Sequence, residues 1–143
     1  MRVISVLGYL LMAGGLVGLG ATHALFSGAP AVIAFQGVAV ALMVWARVTF
    51  GRRSFHAAAN PTEGGLVTTG PYHFVRHPIY TAVVLFSLAG AAAHPSVAAG
   101  GLELLILLGA LVRMLLEERL LRAAYPEYAG YAARTRRMLP GVF

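Results

Sequence analysis

The sequence predicts an all-α integral membrane fold, with four transmembrane helices followed by a cytoplasmic amphipathic helix. Three observations carry this expectation. Hydrophobic residues fill 59% of the 143 positions, charged residues fill 11%, and mean hydropathy is +0.76, which excludes an ordinary soluble domain. Long apolar runs recur, separated by two tight turns and one long polar loop. The charge is one-sided: all 11 basic residues are Arg, and the chain has no Lys and no Asp. Such a basic excess could mean nucleic acid, but these Arg flank hydrophobic spans, where orientation and anionic headgroups explain them. At this length the chain reads as a single domain, 1–143. Two N-terminal transmembrane helices fill 1–50, and a loop, a helical hairpin and a C-terminal helix fill 51–143.

The first span is expected over Val3 to Leu25, because a bilayer core takes roughly 20 apolar residues. It is longer than the ~7–15-residue apolar core of a cleaved signal peptide, the rival reading. Gly14, Gly15, Gly18 and Gly20 form a small-residue face suited to close helix packing. Ser27-Gly28-Ala29-Pro30 makes a tight turn into the second span, Ala31 to Phe50, with Trp45 as an interface anchor near its far end. Gly51 to Gly70 is the one long polar loop, carrying Arg52, Arg53, His56, Asn60, Pro61, Glu63 and Gly64-Gly65.

Gly70-Pro71 signals a turn, and Pro78 suits the first position of a third helix, because its missing N–H has no partner there anyway. His77 then occupies the cap position, and the positive end of that helix faces the loop, a geometry that suits a carboxylate. The third span runs Ile79 to Ala93, His94-Pro95-Ser96 turns, and Val97 to Leu116 is the fourth span. From Glu117 the helix continues as an amphipathic segment with Glu118 and Arg122 as an i,i+4 pair. Pro126 interrupts it, and a short segment from Glu127 ends among Arg134, Arg136 and Arg137.

Four spans place both termini on one side together with nine of the 11 Arg, and Arg47 and Arg113 lie near that end of their helices. The positive-inside rule then predicts that both termini, the long loop and the tail are cytoplasmic, in an inner or plasma membrane. The stretch 66–80 and the Glu117 region meet on that face. Arg113 and Glu117 share a helix side at i,i+4, aimed under the loop or paired as a local ion pair. Glu103 lies about four turns from Glu117 on the same side, so it lines the same interior or bonds to a neighbouring helix at Gln36. No metal site is expected: the five His lack a ligand spacing, and no Cys is present.

LVTTGPYHFVRHPIY at 66–80, RMLLEE at 113–118 and PEYAGYAARTRRMLP at 126–140 resemble the isoprenylcysteine carboxyl methyltransferase family and the related phospholipid N-methyltransferases. The resemblance covers about Ser54 to Pro140; Ala82 stands where the family pattern has its last Gly. It implies S-adenosylmethionine as cofactor, held by Gly64, Gly65, Leu66, Val67, Tyr72, His77, Pro78, Ile79, Tyr80, Glu117 and Glu118. It also implies that Arg113 meets the substrate, so that Arg113 and Glu117 form the catalytic pair. The expected activity is methyl transfer to a lipophilic acceptor, by carboxyl O- or amine N-methylation, with the bilayer and a lipid or lipophilic substrate as partners and no nucleic acid. The alternatives are an NADPH-dependent membrane reductase of the sterol-reductase type and a non-enzymatic lipid-binding protein. The acceptor and the oligomeric state stay open.

Overall fold

The computed structural model describes residues 2–51, 65–141 and 143, apart from the Arg2 side chain. Among the described residues it is all-helical: α1 (Arg2–Ala21), α2 (Pro30–Phe50), α3 (Pro78–Ala93), α4 (Val97–Ala124) and α5 (Tyr128–Arg134), with a 3₁₀ turn at Gly70–His73 ahead of α3. Three helices, α1, α2 and α4, are long and apolar enough to cross a membrane, whereas α3 has 16 residues. At about 1.5 Å per residue α3 is roughly 24 Å long, short of a ~30 Å hydrocarbon core. The four predicted spans therefore stand as three by length, plus one shorter apolar helix.

Helix α1 stops at Ala21 rather than running to Leu25. Ala24 N–H donates to Leu19 O and His23 N–H to Gly20 O, with His23 at φ 55, which is the Schellman arrangement of a helix end. His occupies the left-handed position that Gly usually takes, so the sequence carries no stop signal there. Helix α3 starts at Pro78, as expected, whereas α2 starts at Pro30, one residue before the predicted Ala31, with proline in the first turn of both. His77 holds the cap position of α3, but its side chain makes no capping bond. Ser96 does cap α4, its Oγ accepting from Ala99 N–H at 3.0 Å.

Consecutive helices α1 and α2 pack on different partners: α1 on α4, α2 on α3, and α3 on α4. The α1–α4 seam rests on glycines. A Cβ on Gly109 would stand 2.5 Å from Gly8 O, and one on Gly15 would strike Ile106. Of the predicted glycine face, Gly15 and Gly18 meet α4 at Ile106 and Leu102, whereas Gly14 and Gly20 have open space beside them. Gly8 and Gly109 meet as closely, backbone against backbone. The core is Met12, Leu19, Ala110, Ile106 and Met114, joined by Val84 and Ala91 of α3.

The polar side chains inside the bundle fix its turns. Gln36 Nε2 donates to Leu25 O at 2.8 Å and Phe86 O at 3.1 Å. Gln36 therefore ties α2 to α3 and to the α1–α2 turn, and the predicted Gln36–Glu103 bond is not made. His94 Nε2 lies 2.8 Å from Phe26 O, and Phe26 sits edge-on to Phe86. A Cβ on Gly90 would come within 2.1 Å of Leu25 O, so the turn after α1 lies directly on α3.

Candidate functional site

At the opposite end of α3 the sequence brings two far-apart elements onto α4. Val75 and Arg136 form a parallel bridge. Arg76 N–H donates to Arg136 O at 2.7 Å and His77 N–H to Arg137 O at 2.9 Å. Thr81 Oγ1 donates to Met138 O at 3.0 Å. The chain after α5 is thereby strapped across the start of α3. At that start the His77 N–H is taken by Arg137 O, and two carboxylates, Glu117 and Glu118, face the His77 ring.

Glu118 is the hub of this strap. Arg76 Nε donates to its Oε1 at 2.9 Å, and Arg137 donates through Nε to Oε1 at 3.1 Å and through Nη2 to Oε2 at 3.2 Å. His77 Nε2 stands 3.5 Å from the same Oε1. Arg76 also reaches the carbonyls of Ala132 and Thr135. The predicted Glu118–Arg122 pair is replaced by these partners, because Arg122 stacks over the Tyr128 ring at 5.5 Å instead. Glu118 lies beyond the roughly 20 residues of α4 that a bilayer core takes. Burial acts to raise its carboxyl. The approach of His77 and the bonds from Arg76 and Arg137 outweigh burial and hold it at about 2.

One residue earlier on α4, Glu117 belongs to a second cluster. Tyr80 Oη donates to Glu117 Oε1, and Arg113 donates through Nε to Tyr80 Oη at 2.7 Å and through Nη2 to Glu117 Oε1 at 3.2 Å. The i,i+4 pair predicted from sequence is therefore present. Arg113 Nη1 also reaches Ser5 O of α1 at 3.4 Å, and its guanidinium lies between the rings of Tyr9 (5.7 Å) and Tyr80 (5.8 Å). Arg113 is buried. The Glu117 side chain keeps 24% of its surface, and its Oε2 faces His77 Nδ1 at 3.7 Å.

The structure thus brings together Arg113, Glu117, Glu118, His77 and Tyr80. Pro78 is buried in the first turn beside them, and Ile79 is half-buried. Tyr72 is buried next to this cluster. Its backbone O accepts from Tyr131 Oη at 2.7 Å, its ring meets Phe50, and burial, with the charge of Glu117 contributing, pushes its hydroxyl up. Gly65 is exposed at φ 82, and Leu66 and Val67 are half-buried on the way to Gly70. Gly64 lies outside the described residues. Gly70, at φ 57, packs where a Cβ would meet Thr49 Oγ1 at 2.6 Å, which docks the turn onto the end of α2. Sequence reasoning missed Arg76 and Arg137 as the partners of Glu118, and Ser5 and Tyr9 as the walls around Arg113. Their sequence separations of 19 to 108 residues leave no local signal.

Glu103 is elsewhere. It shares a side of α4 with Glu117, as predicted, but 14 residues, about 21 Å, separate them, and it lines a different cavity with Leu88, Leu104 and Leu107. Among the described residues no group of three or more His, Cys, Asp or Glu converges as a metal site would.

Fold and cluster together define a helical membrane protein with a largely buried Tyr–Arg–Glu–His constellation at one end of its bundle, Glu117 keeping part of its surface. The phospholipid methyltransferase family profile matches residues 26–128, and the chain belongs to that family. A cobalt-zinc-cadmium resistance protein, CzcN, from Cupriavidus metallidurans is 38% identical over 78 residues. That match covers 52% of this chain and 35% of the relative, so the chain spans well under two thirds of its relative's length. No solved structure matches.

Proposed function

We propose that this protein transfers the methyl group of S-adenosylmethionine to a lipophilic acceptor that reaches the Tyr80–Arg113–Glu117 cluster from the bilayer. The observation that carries this reading is the convergence of those three residues with His77 at one end of the bundle, in a chain of the phospholipid methyltransferase family. The residues suit the cofactor on two counts. Glu117 is partly exposed, so its carboxylate can accept from hydroxyls or balance a cationic centre. The His77 ring stands between the two carboxylates, Nδ1 3.7 Å from Glu117 Oε2 and Nε2 3.5 Å from Glu118 Oε1, so it is held at the wall of the site. Gly65, Leu66, Val67, Tyr72 and the first turn of α3 complete the expected binding side, with Glu118 fixing His77 and the strap rather than meeting the ligand.

When bound, S-adenosylmethionine supplies an electrophilic methyl group. The protein's part is then positioning and exclusion of water. Arg113, held by Ser5 O, Tyr80 and Glu117 and flanked by two rings, presents a rigid planar cation suited to a carboxylate or phosphate on the acceptor. Glu117 Oε1 is committed to Tyr80 and Arg113, which leaves Oε2 to take the proton of an amine acceptor. A carboxylate acceptor needs no such step.

The same reading takes α3 as a fourth crossing. The 3₁₀ turn that precedes it docks on the end of α2, through Gly70 against Thr49, and its last turn lies on the α1–α2 turn, through Gly90 against Leu25. The segment from that turn through α3 therefore runs alongside α2, which is itself long enough to span. Both termini and the cluster then face the cytoplasm, on the positive-inside rule. Membranes holding the protein, supplied with methyl-tritiated S-adenosylmethionine and a total lipid extract, should transfer label to the organic phase, and Glu117→Ala membranes should not. Equal label in both overturns the reading. Saturable NADPH binding without binding of S-adenosylhomocysteine points to the reductase class instead.

A further inference from the structure

Glu103 lies ten residues before Arg113 on α4, about 15 Å along the helix at ~1.5 Å per residue, toward the end where α3 turns into α4. Its carboxyl is buried, and neither oxygen has a hydrogen-bond partner. The polar groups that could satisfy it are committed elsewhere. Gln36 donates to Leu25 O and Phe86 O, the His94 ring sits on Phe26 O, and the Ser87 hydroxyl, which faces the carboxyl across the helix pair, gives its proton to Val83 O and Val84 O instead. A bare carboxyl in hydrocarbon is costly, and such residues in membrane helices mark sites.

Beside it a cavity of about 530 Å³ opens between α3 and α4, its wall formed by Leu88, Ala92, Leu104 and Leu107 together with Glu103 itself. Leu88 and Leu104 are exposed on the outer surface of the bundle, so the cavity faces the hydrocarbon. One turn below Glu103, Gly100 also lines the cavity, and a Cβ there would meet nothing within 4 Å.

We propose that this cavity is a second ligand site, separate from the Arg113–Glu117 cluster, and that it takes a lipophilic ammonium: a protonated amine on a hydrocarbon tail. Charge complementarity decides the class. The tail lies along the leucines, and the ammonium brings both the countercharge and the N–H donor that Glu103 lacks. An alcohol brings no charge, and an anion is repelled. The site does not depend on the methyltransferase reading.

The full chain in zwitterionic nanodiscs is treated with dicyclohexylcarbodiimide, an apolar reagent that adds to carboxyls reachable from lipid, and the Glu103 peptide is read by mass spectrometry. Glu103 should be labelled. N,N-dimethyldodecylamine should slow labelling about ten-fold or more, and dodecanol or dodecyl sulfate by less than about two-fold. No label at Glu103, or equal protection by dodecanol, overturns the proposal. Native mass spectrometry gives a second test: Glu103→Gln should hold the amine at least about ten-fold more weakly than the parent at unchanged helicity, and equal retention contradicts the site.

Discussion

Arg113 and Glu118 are both buried Arg or Glu residues on one helix, yet their surroundings assign them different work. Glu118 is saturated by Arg76 and Arg137, so its removal leaves two cations at a strap with no anion between them. Breaking a buried pair from one side costs about 3–5 kcal/mol. Glu118→Ala should therefore lower thermal stability far more than Glu117→Ala, as scanning calorimetry in detergent can show. The pH dependence follows in sign. The folded carboxyl sits at about 2, below its ordinary 4.5, so its stabilisation is present above pH 4.5 and is lost as pH falls toward 2. The parent should melt progressively earlier across that acid window, and Glu118→Gln should show a flatter limb. Arg113 carries a different expectation. Lys keeps the charge but not the planar fork, so Arg113→Lys should leave cofactor affinity within about two-fold and cut methyl transfer at least about ten-fold. Turnover near the parent value would make Arg113 a structural ion pair, and a joint fall in binding and turnover would make it a cofactor ligand.

At the scale of elements, the bundle depends on two backbone contacts that only glycine permits. Gly109 on Gly8 closes α1 on α4, and Gly90 beneath Leu25 O sets the α1–α2 turn on α3. Gly109→Val and Gly90→Val should each cost about 1–3 kcal/mol or more by overpacking, whereas Gly14→Ala, which faces open space, should melt like the parent. These contacts show what the sequence made legible. Pro78 announces a helix start through fixed local geometry, and the Arg113–Glu117 pair follows from helical periodicity. The Schellman stop at His23 carries no glycine to reveal it. The partners of Glu118 and the Gly8–Gly109 crossing are set by packing between distant segments. The length of α3 was legible too: its 16 residues follow a 3₁₀ turn and a strapped cap.

For the molecule as a whole, the order of contacts, α2 on α3, α3 on α4 and α4 on α1, places the Tyr80–Arg113–Glu117 cluster at one end of the bundle and the Glu103 cavity toward the other. A reporter fused at Phe143 should read cytoplasmic, in line with the Arg excess at the cluster end; a signal from the opposite compartment would mean that α3 does not cross. The central claim is that the cluster builds a site for S-adenosylmethionine, and the most direct measurement is calorimetric titration of S-adenosylhomocysteine into the purified full chain and its Glu117→Ala and His77→Ala variants. Loss of a hydrogen bond to a charged group costs roughly 1.5–3 kcal/mol, so each variant should bind about ten-fold or more weakly than a parent that binds saturably. A parent with no measurable binding at millimolar ligand, or variants that match it, would contradict the site.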